Sequence, residues 1–150
     1  MSTTKYVNFK TVREDFNVYE IPGKFTLRSK QSIISIKTDD NNMEFLRPSL
    51  RSVSIIEPVT GFSVSELKQK SVSEVTDDDI TDELKFVVTQ SSMNIYETER
   101  EIIIIDDPVE HIFMTHYKDE NDIPIIRFRS NIGMNIIPKR EPLKNDELLK

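Results

Sequence analysis

The tetrapeptide Asn17-Val18-Tyr19-Glu20 returns as Asn94-Ile95-Tyr96-Glu97, 77 residues further on. At the same offset Phe25 falls on Ile102, Leu27 on Ile104, Ile36 on Phe113 and Thr38 on Thr115. Residues 17–38 thus align with 94–115 without a gap. After a three-residue insertion Ile56-Glu57-Pro58 meets Ile136-Ile137-Pro138. This self-similarity constrains the fold more than any other feature. It predicts two copies of a four-stranded unit, each too small to bury much core alone and therefore packed on the other.

Residue choice says what each unit is made of. The chain has 19 Ile, 11 Val and 11 Thr but no Ala. β-Branched side chains are stiff in helices and pack well on a pleated sheet, whereas Ala is the best helix former. The expected fold class is mainly β, with duplicated four-stranded units forming a small barrel or sandwich. Alternation locates strands at 17–21, around Phe25 and Leu27, at 32–38, 49–57, 93–97, 109–117, 124–129 and 131–137. Pro22-Gly23 is a turn signal, and Pro58 and Pro138 end strands. The continuous run Ile102–Ile105 suits a strand buried on both faces. Thr76 followed by three aspartates reads as a capped helix start, giving one short helix near 77–85.

The resulting organisation is an N-terminal arm at 1–12, a first β repeat at 13–58, a linker with the short helix at 59–92, a second β repeat at 93–138 and a C-terminal tail at 139–150. No apolar run reaches the roughly 18–20 residues of a membrane helix, and the first ten residues lack the order of a signal peptide. A cytoplasmic, soluble protein without membrane contact is the expectation.

Chemistry-bearing patterns are sparse. With no Cys, disulfide frameworks, cysteine zinc sites, iron–sulfur clusters and thiol nucleophiles are excluded. Three Gly allow neither a dinucleotide fingerprint nor a phosphate-binding loop. His111 and His116 lie five apart on a strand and so face opposite ways. The acidic run at 77–83 lacks calcium-loop spacing. Asp106, Asp107 and His111 would be the residues of a hydrolase or metal enzyme, but no nucleophile pattern accompanies them. The expectation is a protein that is not an enzyme and has no cofactor, metal or small-molecule substrate.

Charge is unevenly spread. Residues 73–123 carry 3 basic and 15 acidic side chains, a net of −12, while residues 1–51 carry 9 and 6, a net of +3. An acidic surface that meets a basic partner, or the basic part of a second copy, fits this division. The expected function is a binding or assembly module acting through protein–protein contacts, with self-association or a place in a structural particle among its forms. The alternative is a small-barrel nucleic-acid-binding protein. Its basic strand face would be Lys24, Arg28 and Lys30, opposite Phe25 and Leu27, with Arg127 and Arg129, opposite Ile126 and Phe128.

Overall fold

In the computed structural model, residues 4–39 and 42–140 are described. The expected loose start at 1–3 and the tail from 141 onward lie outside them, as do Asp40 and Asn41 of the expected loop. The protein is mainly β, with thirteen strands among the described residues. In chain order they are β1 (Thr4–Tyr6), β2 (Lys10–Arg13), β3 (Asn17–Ile21), β4 (Phe25–Asp39), β5 (Asn42–Pro58), β6 (Lys68–Gln69) and β7 (Ile80–Leu84). Then follow β8 (Val87–Gln90), β9 (Asn94–Glu97), β10 (Glu101–Asp106), β11 (Val109–Lys118), β12 (Pro124–Ser130) and β13 (Gly133–Pro138).

They form three open sheets, and no closed barrel is found among the described residues. The first contains β5, β4, β3, β8 and β1, the second runs β13-β10-β9-β2, and in the third β11 lies between β12 and the short strands β7 and β6. The spine is the β4–β5 hairpin, paired from Phe25↔Pro58 to Asp39↔Asn42. The two strands expected near Phe25 and at 32–38 are therefore one. The turn that leads into β4 is as expected, with Gly23 at φ 74°, where only a residue without Cβ sits easily.

The helix expected near 77–85 is not there. A 3₁₀ turn covers Asp77–Asp79, and Ile80–Leu84 is strand β7, antiparallel to β11. The capping chemistry is real but local: the Thr76 N–H donates to Asp79 Oδ2 at 2.9 Å. It closes one turn. Ile80 and Leu84 then gain more by joining a sheet edge than by continuing a helix, because pairing with β11 satisfies the backbone and leaves both half-buried.

Two cores result. One holds Tyr19, Ile21, Phe25, Leu27, Val109 and Ile112; the other holds Ile33, Ile36, Leu46, Tyr96, Ile103 and Ile105. Each lies between part of the first sheet and one of the other sheets.

Contacts in the two cores recur in reciprocal pairs. Thr11 pairs with Tyr96, and Val88 with Tyr19. Adding 77 to Thr11 gives Val88, and subtracting 77 from Tyr96 gives Tyr19. Lys10↔Glu97 and Arg13↔Ile95 recur in the same way as Val87↔Glu20 and Gln90↔Val18. Phe9 meets Tyr96 edge-on at 6.1 Å, and Phe86 meets Tyr19 edge-on at 5.5 Å.

Beyond the first strand the pairing registers do not follow the gapless alignment expected from sequence. Tyr19 pairs with Leu27, and Tyr96 pairs with Ile103 and not with Ile104. Ile36, opposite Pro48, corresponds to Ile112, opposite Phe128, and not to Phe113. Five residues separate the paired Glu20 and Thr26, and four separate the paired Glu97 and Ile102. A one-residue slip moves a side chain to the other face of the sheet, so Ile103 and Ile105 are buried while Ile102 and Ile104 are only half-buried.

Candidate interaction surfaces

The repeated Asn and Tyr lie two apart on a strand and share one buried face. What they do there follows from gaps in the ladders. β3 pairs with β4 only up to Ser29, and β1 takes up the same edge only from Lys37. Between them the β4 backbone needs partners. Asn94 Nδ2 donates to the Gln31 carbonyl at 3.2 Å, and the Ile33 N–H donates to Tyr96 Oη at 3.4 Å. Across the molecule Asn17 Nδ2 donates to the Asp107 carbonyl at 3.3 Å, and the Val109 N–H donates to Tyr19 Oη at 2.8 Å. The Asn side-chain oxygens also recur: Asn94 Oδ1 accepts from the Asp15 N–H, and Asn17 Oδ1 from the Ser92 N–H. The motif visible in the sequence therefore caps two broken sheet edges. Composition and alternation alone do not assign that role.

The two tyrosines differ in one respect. Tyr96 Oη donates to Glu14 Oε2 at 2.6 Å, and Glu14 Oε1 accepts from Lys30 Nζ at 2.9 Å and Ser32 Oγ at 2.8 Å. Burial works to raise the Glu14 carboxyl, but these hydrogen bonds, with Tyr96 first, hold it below its ordinary value. Burial, and then the bond to Glu14, pushes the Tyr96 hydroxyl up to about 12. Burial also raises Tyr19.

The basic residues singled out by sequence are mostly occupied. Arg28 Nε lies 2.7 Å from Glu57, and Lys30 binds Glu14 and sits 4.6 Å above the Phe16 ring. Arg127 lies 3.2 Å and Arg129 3.9 Å from the two oxygens of Asp77, which the 3₁₀ turn carries over β12. Lys24 is exposed in the turn before β4. Leu27 packs in the same core as Ile126 and Phe128. Alternation then turns Arg28 and Lys30 outward on one side of that core, and Arg127 and Arg129 outward on the other. The structure does not bring the two sets onto one face.

Asp106, Asp107 and His111 are also dispersed. Asp107 is 4% exposed and accepts from Gln31 Nε2 at 3.1 Å. His111 is exposed, with Nδ1 2.5 Å from Glu83 Oε1. No group of three or more potential metal ligands occurs among the described residues. Two shallow grooves are present. One, of about 390 Å³, contains Glu97 between Lys10 at 2.6 Å and Lys139 at 3.4 Å. The other, of about 580 Å³, lies between Lys70 and the Asp119–Asn121 loop. None of Lys24, Arg28, Lys30, Asp106, Asp107, His111, Arg127 and Arg129 lines either.

What the surface does offer is apolar strand. All six residues of β13 are exposed, including Met134, Ile136 and Ile137, as are all four of β8, including Val87 and Val88. No helix among the described residues is long and apolar enough to cross a membrane. No protein-family model matches the chain, and no curated protein or solved structure matches it.

Proposed function

We propose that this chain is a non-catalytic binding or assembly module, acting through protein–protein contacts and built from two tandem copies of one β unit that have exchanged strands. The observation that carries the functional part is β13, an edge strand whose apolar side chains stand in solvent on both faces. Exposed apolar strand is an invitation to pairing, and natural proteins suppress it where no partner is wanted. The reciprocal contacts support the duplication: β2 leaves its own half to pair with β9, and β8 does the converse with β3. A cytoplasmic location and a place in a larger particle are compatible with this reading.

The nucleic-acid alternative is weakened by charge. Arg28, Lys30, Arg127 and Arg129 are paired with carboxylates, and the two sets lie on opposite sides of a core. Fluorescence anisotropy with labelled single- and double-stranded nucleic acid, at about 50 and 200 mM salt, tests the choice. The expected result is no salt-sensitive binding. Binding that weakens steeply with salt and vanishes in Arg127→Glu/Arg129→Glu would overturn the protein-contact reading and put the alternative in its place.

A further inference from the structure

We infer that the outer edge of β13 is the docking site for a second copy of this chain, added antiparallel about a twofold axis at Asn135. This names a partner for the protein-contact reading above and rests on it.

Among the described residues β13 has a partner on one side only, β10. The Lys139 N–H donates to the Arg100 carbonyl at 2.7 Å, so Gly133, Asn135 and Ile137 also turn their backbone groups toward β10. Met134 and Ile136 turn theirs outward. No charged side chain lies within residues 133–138. Edge strands are commonly guarded by charge, proline or a bulge, and here only Pro138 at the end serves.

The molecule supplies its own control. The Val59 N–H donates to the Lys24 carbonyl at 2.9 Å, the counterpart of Lys139 to Arg100. That match aligns Pro58 with Pro138, and hence Ser52 with Ile132, Ser54 with Met134 and Glu57 with Ile137. Among the described residues β5 is also an edge, paired only with β4, and it carries two serines and a Glu held by Arg28. The equivalent strand therefore folds with one exposed aliphatic side chain, Ile55 at 43%, where β13 exposes Met134, Ile136 and Ile137. Ile132 (49%), Met134 (42%) and Ile137 (46%) are exposed at positions where β5 carries Ser52, Ser54 and Glu57.

A second copy fits this edge. In an antiparallel pair centred on Asn135, Met134 faces Ile136 of the second copy and Ile136 faces its Met134. Both are outward residues, so each pair can exchange two backbone hydrogen bonds. The interface is self-complementary, as a twofold contact must be. Each strand ends in Lys139 and Arg140 and starts beside Asp106, which is in register with Gly133. Antiparallel addition points the basic end of one copy toward the acidic start of the other, and no like charges meet within the paired stretch.

The chain has no Cys, so Asn135→Cys gives a single-site probe. Under mild oxidation it should form a covalent dimer in most molecules, because opposed residues in an antiparallel pair lie about 4.5–5.5 Å apart. Ile55→Cys, the equivalent site on β5, should stay monomeric. Analytical ultracentrifugation of the unmodified chain should show a dimer. Met134→Lys/Ile136→Lys should weaken it about tenfold or more, equivalent to at least about 1.4 kcal/mol, with the circular-dichroism strand signal retained. Equal crosslinking at both cysteine sites, or a dimer that crosslinks at neither, would overturn the β13 assignment. A monomer at every concentration that also ignores nucleic acid would overturn the second copy as partner and leave the protein-contact reading standing. Salt-sensitive nucleic-acid binding would overturn that reading itself. The cysteine pair decides the matter even if the lysine variant fails to fold.

Discussion

Tyr19 and Tyr96 do the same work in the two cores, and only Tyr96 has a carboxylate beneath its hydroxyl. Both rings are buried, both meet a phenylalanine edge-on, and both hydroxyls accept from a backbone N–H on a strand line the ladder leaves open. Position 14 is Glu, and 77 residues on the chain has Ser91. The shared contacts are those the architecture requires. The Glu14–Lys30–Ser32 network belongs to one site alone and is an addition to it.

The strongest way to break the equivalence is to hollow out each core at matched positions. Leu27→Ala and Ile103→Ala both remove fully buried aliphatic groups, and each should cost about 2–5 kcal/mol. Denaturant unfolding should give penalties within about 1–1.5 kcal/mol of each other, given the spread with local relaxation. A larger gap would mean that the two cores do not bear load equally.

Next come the matched caps. Asn17→Ala and Asn94→Ala each strand a carbonyl and an N–H that the side chain now serves. Each should cost about 1–3 kcal/mol. An Asn94→Ala variant as stable as the parent would show that water replaces the side chain and that the recurring motif does not cap the edge.

The tyrosines sharpen the contrast. Tyr96→Phe loses a bond to a charged group as well as the one to Ile33, so it should cost about 2–3 kcal/mol, against about 1–2 for Tyr19→Phe. The Glu14 carboxyl is lowered in the folded protein. Its contribution is therefore present above the unfolded value of 4.5 and is lost as pH falls through the lower folded value. Tyr96 is raised from 10.0 to about 12. Its contribution is present below pH 10 and is lost as pH rises toward 12. Tyr96→Phe should flatten both limbs of a stability–pH curve, whereas Tyr19→Phe should leave the acidic limb intact.

The smallest effect belongs to the exposed ion pairs. Arg28→Ala should change stability by about 0–1 kcal/mol, with a dependence on salt. A larger loss would show the Arg28–Glu57 pair to be part of the β5 edge's structure.

Much of this was legible from residue order. Alternation placed β3, β9 and the β11–β12 hairpin, and Pro22-Gly23 marked the turn into β4. The Asn-x-Tyr-Glu repeat pointed at both caps, although not at what they cap. The helix near 77–85 was misread because Thr76 and three aspartates make a sound cap whatever follows. The break at Asp106-Asp107-Pro108 was visible, since Pro108 has no N–H to continue a ladder. That β4 carries no such break, and runs fifteen residues as one strand, was not. Period two sets Arg28, Lys30, Arg127 and Arg129 opposite core side chains, but Lys24 lies in the turn before β4, and the carboxylate partners come from 14, 57 and 77.

By itself, then, the sequence determined what is local: a β chain, the inward faces of its strands, its turns, and a motif used twice. Period two, proline and glycine act within a few residues, so they can be read without a partner. Tertiary structure alone decided that β2 crosses to β9 and β8 to β3, that 80–84 is a strand, and that β13 is left with an open edge. Those outcomes depend on pairings between residues up to 87 positions apart, such as Lys10 and Glu97, where the choice is made by total burial and backbone satisfaction and not by any local preference.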